Sequence, residues 1–377
     1  MRVYKRKSAI WTIIKLIILL ILIFFIYACY NIDYFKYNKY VIMAKSKITD
    51  TVSNITNSTK DGLSALIESY EPDEEDDAIY EITDAQNRYY YNQLDESSKI
   101  IYAEILKNLD KIKNGEDNIK ISSKLSNLVD KNDDMSNSLM KSFQNAWDAF
   151  RNDNVDIFYI DGSKMCLVTK TITKGSKVTY EFYISRGVNE NYLVDGFSNA
   201  KEIDEAIEYV SESENQILST ITEKNDYYKI VKAHNWIVDN VEYNLEDSVN
   251  NSNIYGALHD KKVVCEGYAR LFKSLMDKLE IPCILVSGVG VDSKTGQSEN
   301  HAWNYVYLKG NWYAMDVTWD DPIIIGGGTI SSDVKYKYFL KGSKEFNTTH
   351  ISEGKLVENG MEFVYPVISV NDYIKEN

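Results

Sequence analysis

The stretch VVCEGYARLFKSLMDKLEIPC, residues 263–283, limits the fold of this chain more than any other. It reads as a helix, VVCEGYARLFKSLMDKL, that passes directly into an apolar run, PCILVSGVGV, with the length and composition of a buried strand. Cys283 lies inside that run and reads as a small apolar residue. Cys265 does not: it stands where the first apolar run turns into the helix, followed at once by Glu266, Gly267 and Tyr268. A cysteine that opens a helix meets the unpaired N–H groups and the positive end of the helix dipole, and both favour a thiolate.

Downstream the order is a polar loop, DSKTGQSEN, a strand, HAWNYVYL, a turn, KGN, and a strand, WYAMDVTWDDP. One helix against an antiparallel sheet is an α+β arrangement. A thiolate nucleophile needs a partner that exchanges protons, and His301 opens the strand after the polar loop. Asp316 is expected on the strand that pairs back. If the turn around Gly310 has two or four residues, cross-strand partners have numbers with an odd sum. His301 and Asp316 satisfy that parity (301 + 316 = 617), so their side chains share one face. A carboxylate placed there can orient the imidazole and stabilise its charged form.

These residues resemble the transglutaminase-like superfamily in its bacterial branch, a circularly rearranged relative of the papain-type thiol enzymes. The resemblance is carried by NIYGALHDKKVVCEGYARLFKSLMDKLEIPCILVSG, ENHAWNYVYLKGNWYAMDVTWDDP and YKYFLKG, within roughly residues 225–350. It implies a papain-like core, a Cys-bearing helix packed on an antiparallel sheet bearing His and Asp. It also implies Cys265 as nucleophile, His301 as base and Asp316 as orienting acid. The implied chemistry is attack on an amide through a thioester, by hydrolysis or by transfer to an amine, with no cofactor and no metal. The substrate would be a peptide, protein or cell-wall amide. One oxyanion donor is the Cys265 backbone N–H; no motif marks the second, for which Tyr255 and Trp303 are candidates. IIIGGGTISSD, after Asp321, reads as a glycine-rich inserted loop.

The N-terminus sets the expected compartment. Arg2, Lys5, Arg6 and Lys7 precede an apolar run from Ala9 to Tyr30 whose only charge is Lys15. Such a run is long enough to cross a bilayer as one helix, with Lys15 snorkelling to the headgroups. The basic cluster places residues 1–7 in the cytoplasm and the remainder outside, at the cell surface. A cleaved signal or a lipoprotein site at Cys29 is the rival reading, but FFIYACY does not end in an A-x-A pattern and Tyr27 is bulky for a lipoprotein site. The expected organisation is a cytoplasmic tail (1–7), a transmembrane anchor (8–30), a polar and acidic stalk (31–84), an α+β accessory region (85–215) and the transglutaminase-like domain (216–377). In the accessory region, VDIFYI, MCLVTKTI and VTYEFYIS read as strands among three helices.

With a net charge of −14 there is no basic stripe for a nucleic acid partner. Four cysteines in 377 residues are too few for a disulfide scaffold. Cys265, His301 and Asp316 could in principle bind zinc, but no C-x-x-C or H-x-x-x-H spacing supports that. His234 reads as a core histidine, and His259 and His350 as solvated loop residues. Trp303, Tyr305, Trp312 and Trp319 read as packing residues of the sheet. The alternative to an enzyme is a module of the same fold that binds protein or cell wall without turnover.

Overall fold

The computed structural model describes residues 82, 84, 87–128, 135–187, 190–246, 248–293, 295–321, 331–357 and 360–375. The apolar run 9–30, nearly all of the 31–84 stalk and residues 322–330 of the glycine-rich loop lie outside the described residues. Among the described residues no helix is long and apolar enough to cross a membrane. Of the described residues, 168–178 belong to one compact unit and those of 77–167 with 179–377 to a second, larger one, which holds Cys265, His301 and Asp316.

The first part of that unit is helical because its apolar residues recur at helical spacing. Asp95 caps the helix Glu96–Lys107 by accepting from the Ser98 N–H, and Ile100, Ile101 and Ile105 are its buried face. That face packs on the helix Met135–Asp153, where Phe143, Ala146, Ala149 and Phe150 are buried. Strand β1 (Ile119–Lys120) pairs antiparallel with β3 (Lys177–Arg186) through Ile119–Ile184 and Lys120–Tyr183, and β2 is Met165–Lys174. The strand expected at VDIFYI does not form. Val155, Phe158, Tyr159 and Ile160 are buried there, but on turns, with one isolated bridge from Ile160 to Leu193. The apolar residues follow the demand of the core, while Asp161 accepts from the Ser163 N–H and bends the chain.

Helices Ala200–Ser219 and Asp226–Asn240 follow, capped by the side chains of Asn199 and Asn225. Strand β4 (Glu242–Tyr243) then pairs in parallel with β5 (Lys262–Val263), and β5 leads straight into the helix Cys265–Lys278. Tyr268, Leu271, Phe272, Leu275 and Met276 bury the inner face of this helix against the sheet. Each such side chain removed from water contributes about 1.5–3 kcal/mol.

The sheet has the order β8-β7-β6-β9, built from β6 (Cys283–Val291), β7 (Ser298–Leu308), β8 (Asn311–Met315) and β9 (His350–Ser352), with neighbours antiparallel throughout. The β7–β8 turn is two residues, Lys309 and Gly310, both with positive φ (52° and 87°). This is the geometry that matches the twist of paired strands. The register pairs Asn304 with Met315 and Tyr305 with Ala314, an odd sum of 619 (304 + 315). Gly288 and Gly290 in VSGVGV are required by close approach: a Cβ on Gly288 would lie 2.1 Å from the Ile351 carbonyl oxygen, and one on Gly290 would lie 2.8 Å from the Trp319 ring. The bare backbone of β6 lets β9 and the rings above it settle onto the sheet.

Candidate active site

Cys265 is the first residue of its helix, with Val264 at the N-cap position. It packs half-buried against Ala269, Leu285 and Ala302, and its thiol is free. Glu266 beside it is held by Arg270, whose Nε and Nη2 lie 3.1 and 2.8 Å from Oε1, and by Arg151 of the accessory helix. Burial alone would raise the Glu266 carboxyl, but the two guanidiniums outweigh it and bring it down to about 2. The accessory region thus anchors the first turn of the cysteine helix.

His301 stands on β7 opposite Gly288 of β6 and is buried. Its Nε2 donates to Asp316 Oδ2 at 2.8 Å. The parity expected from the sequence therefore places these side chains together. Asp316 itself lies one residue beyond β8, not on a strand as expected, because its Oδ1 accepts from the N–H groups of Thr318 (3.0 Å) and Trp319 (3.1 Å). That short polar side chain turns its own backbone out of the sheet.

Burial opposes a charge on His301, but the Asp316 carboxylate, its hydrogen bond and then a hydrogen bond with Cys265 overcome it and raise the imidazole to about 10. Asp316 is wholly buried, which favours its neutral form; His301 and the bonds from both His301 and His350 reverse this and hold it well below the usual carboxylate range. With Nε2 given to Asp316, Nδ1 is the ring nitrogen left for Cys265. The Trp319 ring lies over the imidazole, centroids 5.0 Å apart.

His350, read from the sequence as a solvated loop residue, is instead 2 % exposed, and its Nε2 lies 3.0 Å from Asp316 Oδ2. The sequence offered no periodicity there, because β9 is only three residues long. His234 is a satisfied core histidine as expected, its Nε2 3.1 Å from Asp320 Oδ2. His259 is half-exposed beside Asp260. His301, Asp316 and His350 offer three ligand atoms within 4.8 Å of one another. An ionised carboxylate only accepts, so both imidazole Nε2 atoms are donors toward it.

The remaining carboxylates of DVTWDD also have partners. Asp320 Oδ1 accepts from the Tyr338 N–H at 2.7 Å, and Asp321 Oδ2 from the Tyr268 hydroxyl at 2.7 Å. Asp320→Ala would leave a buried histidine and a buried N–H without their acceptor. It should lower stability by about 2 kcal/mol in denaturant unfolding, while Asp321→Ala, nearer the surface, should cost less.

Tyr243 is a site residue that sequence reasoning missed. Burial, then the charges of Cys265, Glu299 and Asp316, push its phenol up to about 12, and its ring lies over Tyr268. The signal is the two-residue pairing of β4 with β5, which is too short to read from a pattern. Of the oxyanion candidates, Tyr255 is taken up in stacking on His259 (4.8 Å) and Phe158 (5.8 Å). Trp303 is buried against Phe346 and His350.

The helix headed by Cys265, packed on an antiparallel sheet from which His301 reaches Asp316 just beyond β8, makes this a mixed α+β domain. Residues 215–317 match the model of the transglutaminase-like superfamily, and this part of the chain is a transglutaminase-like domain. Among curated proteins the chain is similar to kyphoscoliosis peptidase of Mus musculus, 28 % identical over 37 % of this chain and 23 % of that protein. It is also similar to kyphoscoliosis peptidase of Homo sapiens, 31 % identical over 32 % of this chain and 20 % of that protein. The chain therefore spans less than a quarter of the length of these relatives. A solved structure described as a TGase overlaps 45 % of this chain and 49 % of its own at 14 % identity, with a TM-score of 0.28.

Proposed function

We propose that this chain is a thiol enzyme that acts on amide bonds through an acyl group carried on Cys265. The observation that carries the reading is the position of His301, hydrogen-bonded through Nε2 to a buried carboxylate, with Cys265 among the groups that raise its pKa. In the forward step the thiolate attacks the amide carbonyl, with the Cys265 backbone N–H facing the developing oxyanion. The C–N bond breaks as His301 Nδ1 gives its proton to the leaving amine. Water or a second amine then attacks the thioester, His301 takes its proton, and the Cys265 thiolate departs. Asp316 stays ionised throughout and holds the imidazole.

The substrate is proposed to be a peptide, protein or cell-wall amide. The basic cluster before the apolar run supports a chain anchored in the membrane with the site on the outer side.

The direct test is to incubate the full chain with candidate amides, quench with acid and look by mass spectrometry for an acyl adduct on the Cys265 peptide. A reagent test needs no substrate. Near pH 6 an alkylating agent should label Cys265 faster than Cys283, whose thiol is buried and pushed far above its ordinary range. In His301→Ala the labelling of Cys265 should slow to that of an ordinary thiol of pKa about 8.5. Equal labelling of wild type and variant would leave a binding module as the reading.

A further inference from the structure

His350 lies 33 residues beyond the segment that matches the superfamily (350 − 317), yet its Nε2 reaches the carboxylate oxygen that His301 uses. Three features put it there. The register sets His350 opposite Gly290 and His301 opposite Gly288, so both histidines rise from one face of the sheet on either side of β6. The two glycines leave no side chain between them. The His350 ring is then clamped, stacked on Phe346 (centroids 3.9 Å, 15°) and crossed by Trp303 (5.1 Å, 76°). Its Nδ1 lies 3.0 Å from the Thr349 hydroxyl.

Asp316 consequently receives four N–H groups: two backbone groups on Oδ1 and two imidazoles on Oδ2. Burial lowers the pKa of His350, which favours the neutral ring. It donates a hydrogen bond without competing for the negative charge that His301 needs. By filling one lone pair of Oδ2 it leaves the other as the only place for the His301 N–H.

We infer that His350 is a positioning residue, which aims the Asp316 carboxylate at His301 and so extends the Cys265–His301–Asp316 arrangement to a fourth member. The inference rests on the amide-enzyme reading for its purpose, but its geometry can be tested separately. The experiment compares the full chain with His350→Gln, whose amide N–H can stand where Nε2 stands, and with His350→Phe, which fills the clamp and donates nothing. Near-UV circular dichroism checks that both variants keep the fold.

Two rates are measured: alkylation of Cys265 at pH 6, and solvent exchange of the His301 Nε2–H proton, seen by NMR in a Cys265→Ala background. The second does not depend on a reactive thiol, so it stands whether or not the chain is an enzyme. His350→Phe should slow alkylation and speed exchange by about tenfold each, while His350→Gln should stay near wild type. The inference is overturned if His350→Phe leaves the exchange rate unchanged, or if His350→Gln departs from wild type as far as His350→Phe does.

Discussion

Replacing Cys265 by Ala should abolish the covalent acyl adduct and lower turnover by about 10⁶-fold, the scale seen when a nucleophile that acts as part of a unit is removed. The loss is that large because no other described thiol can substitute. Cys283 is fully buried within β6, and Cys166 lies on β2, outside the site. The fold should survive, since Cys265 is only half-buried and the helix is held by Leu271, Phe272, Leu275 and Met276. Intact-mass analysis after exposure to substrate, together with a thermal melt, measures both parts. A Cys265→Ala chain that retains its turnover would end the thiol-enzyme reading.

Asp316→Asn should reduce turnover by about 10⁴-fold with little change in substrate binding. The structure gives a specific reason. The Thr318 and Trp319 N–H groups demand an acceptor at the Oδ1 position, so an asparagine there must place its NH₂ at the Oδ2 position. That NH₂ would face the Nε2 atoms of both His301 and His350. To accept from it, His301 must carry its proton on Nδ1, the nitrogen that faces Cys265, and can no longer act as a base there.

The same substitution ties stability to pH. Asp316 has its pKa lowered in the fold, so its contribution is present above its ordinary 3.8 and is lost as the pH falls through the depressed value. His301 has its pKa raised, so its contribution is present below 6.5 and is lost as the pH rises through about 10. These are two views of one ion pair. The melting-temperature gap between wild type and Asp316→Asn should be widest between about pH 4 and pH 6.5 and should narrow at both extremes. A gap that is the same at every pH would mean that the pair is not ionic.

Much of the site was legible because its signals are local. A cysteine at the junction of an apolar run and a helix marks itself, and the two-residue turn at Lys309 and Gly310 carries the His–Asp parity across the hairpin. The failures share a cause. VDIFYI has the composition of a strand, but burial of Phe158 and Ile160 is achieved equally well on turns once Asp161 bends the chain. Asp316 leaves the strand because its own carboxylate finds two backbone donors beyond it.

His350 and Tyr243 sit on strands of three and two residues, which leave no periodic trace. The amino-acid order alone was enough for the cysteine helix and for the hairpin that brings Asp316 to His301, because each depends on residues close in the chain or on the two-residue period of a strand. Only the tertiary structure could decide that His350 leaves water to share Asp316. That outcome depends on β9 crossing a strand kept bare by Gly288 and Gly290, and on a buried carboxylate with more lone pairs than one imidazole can fill.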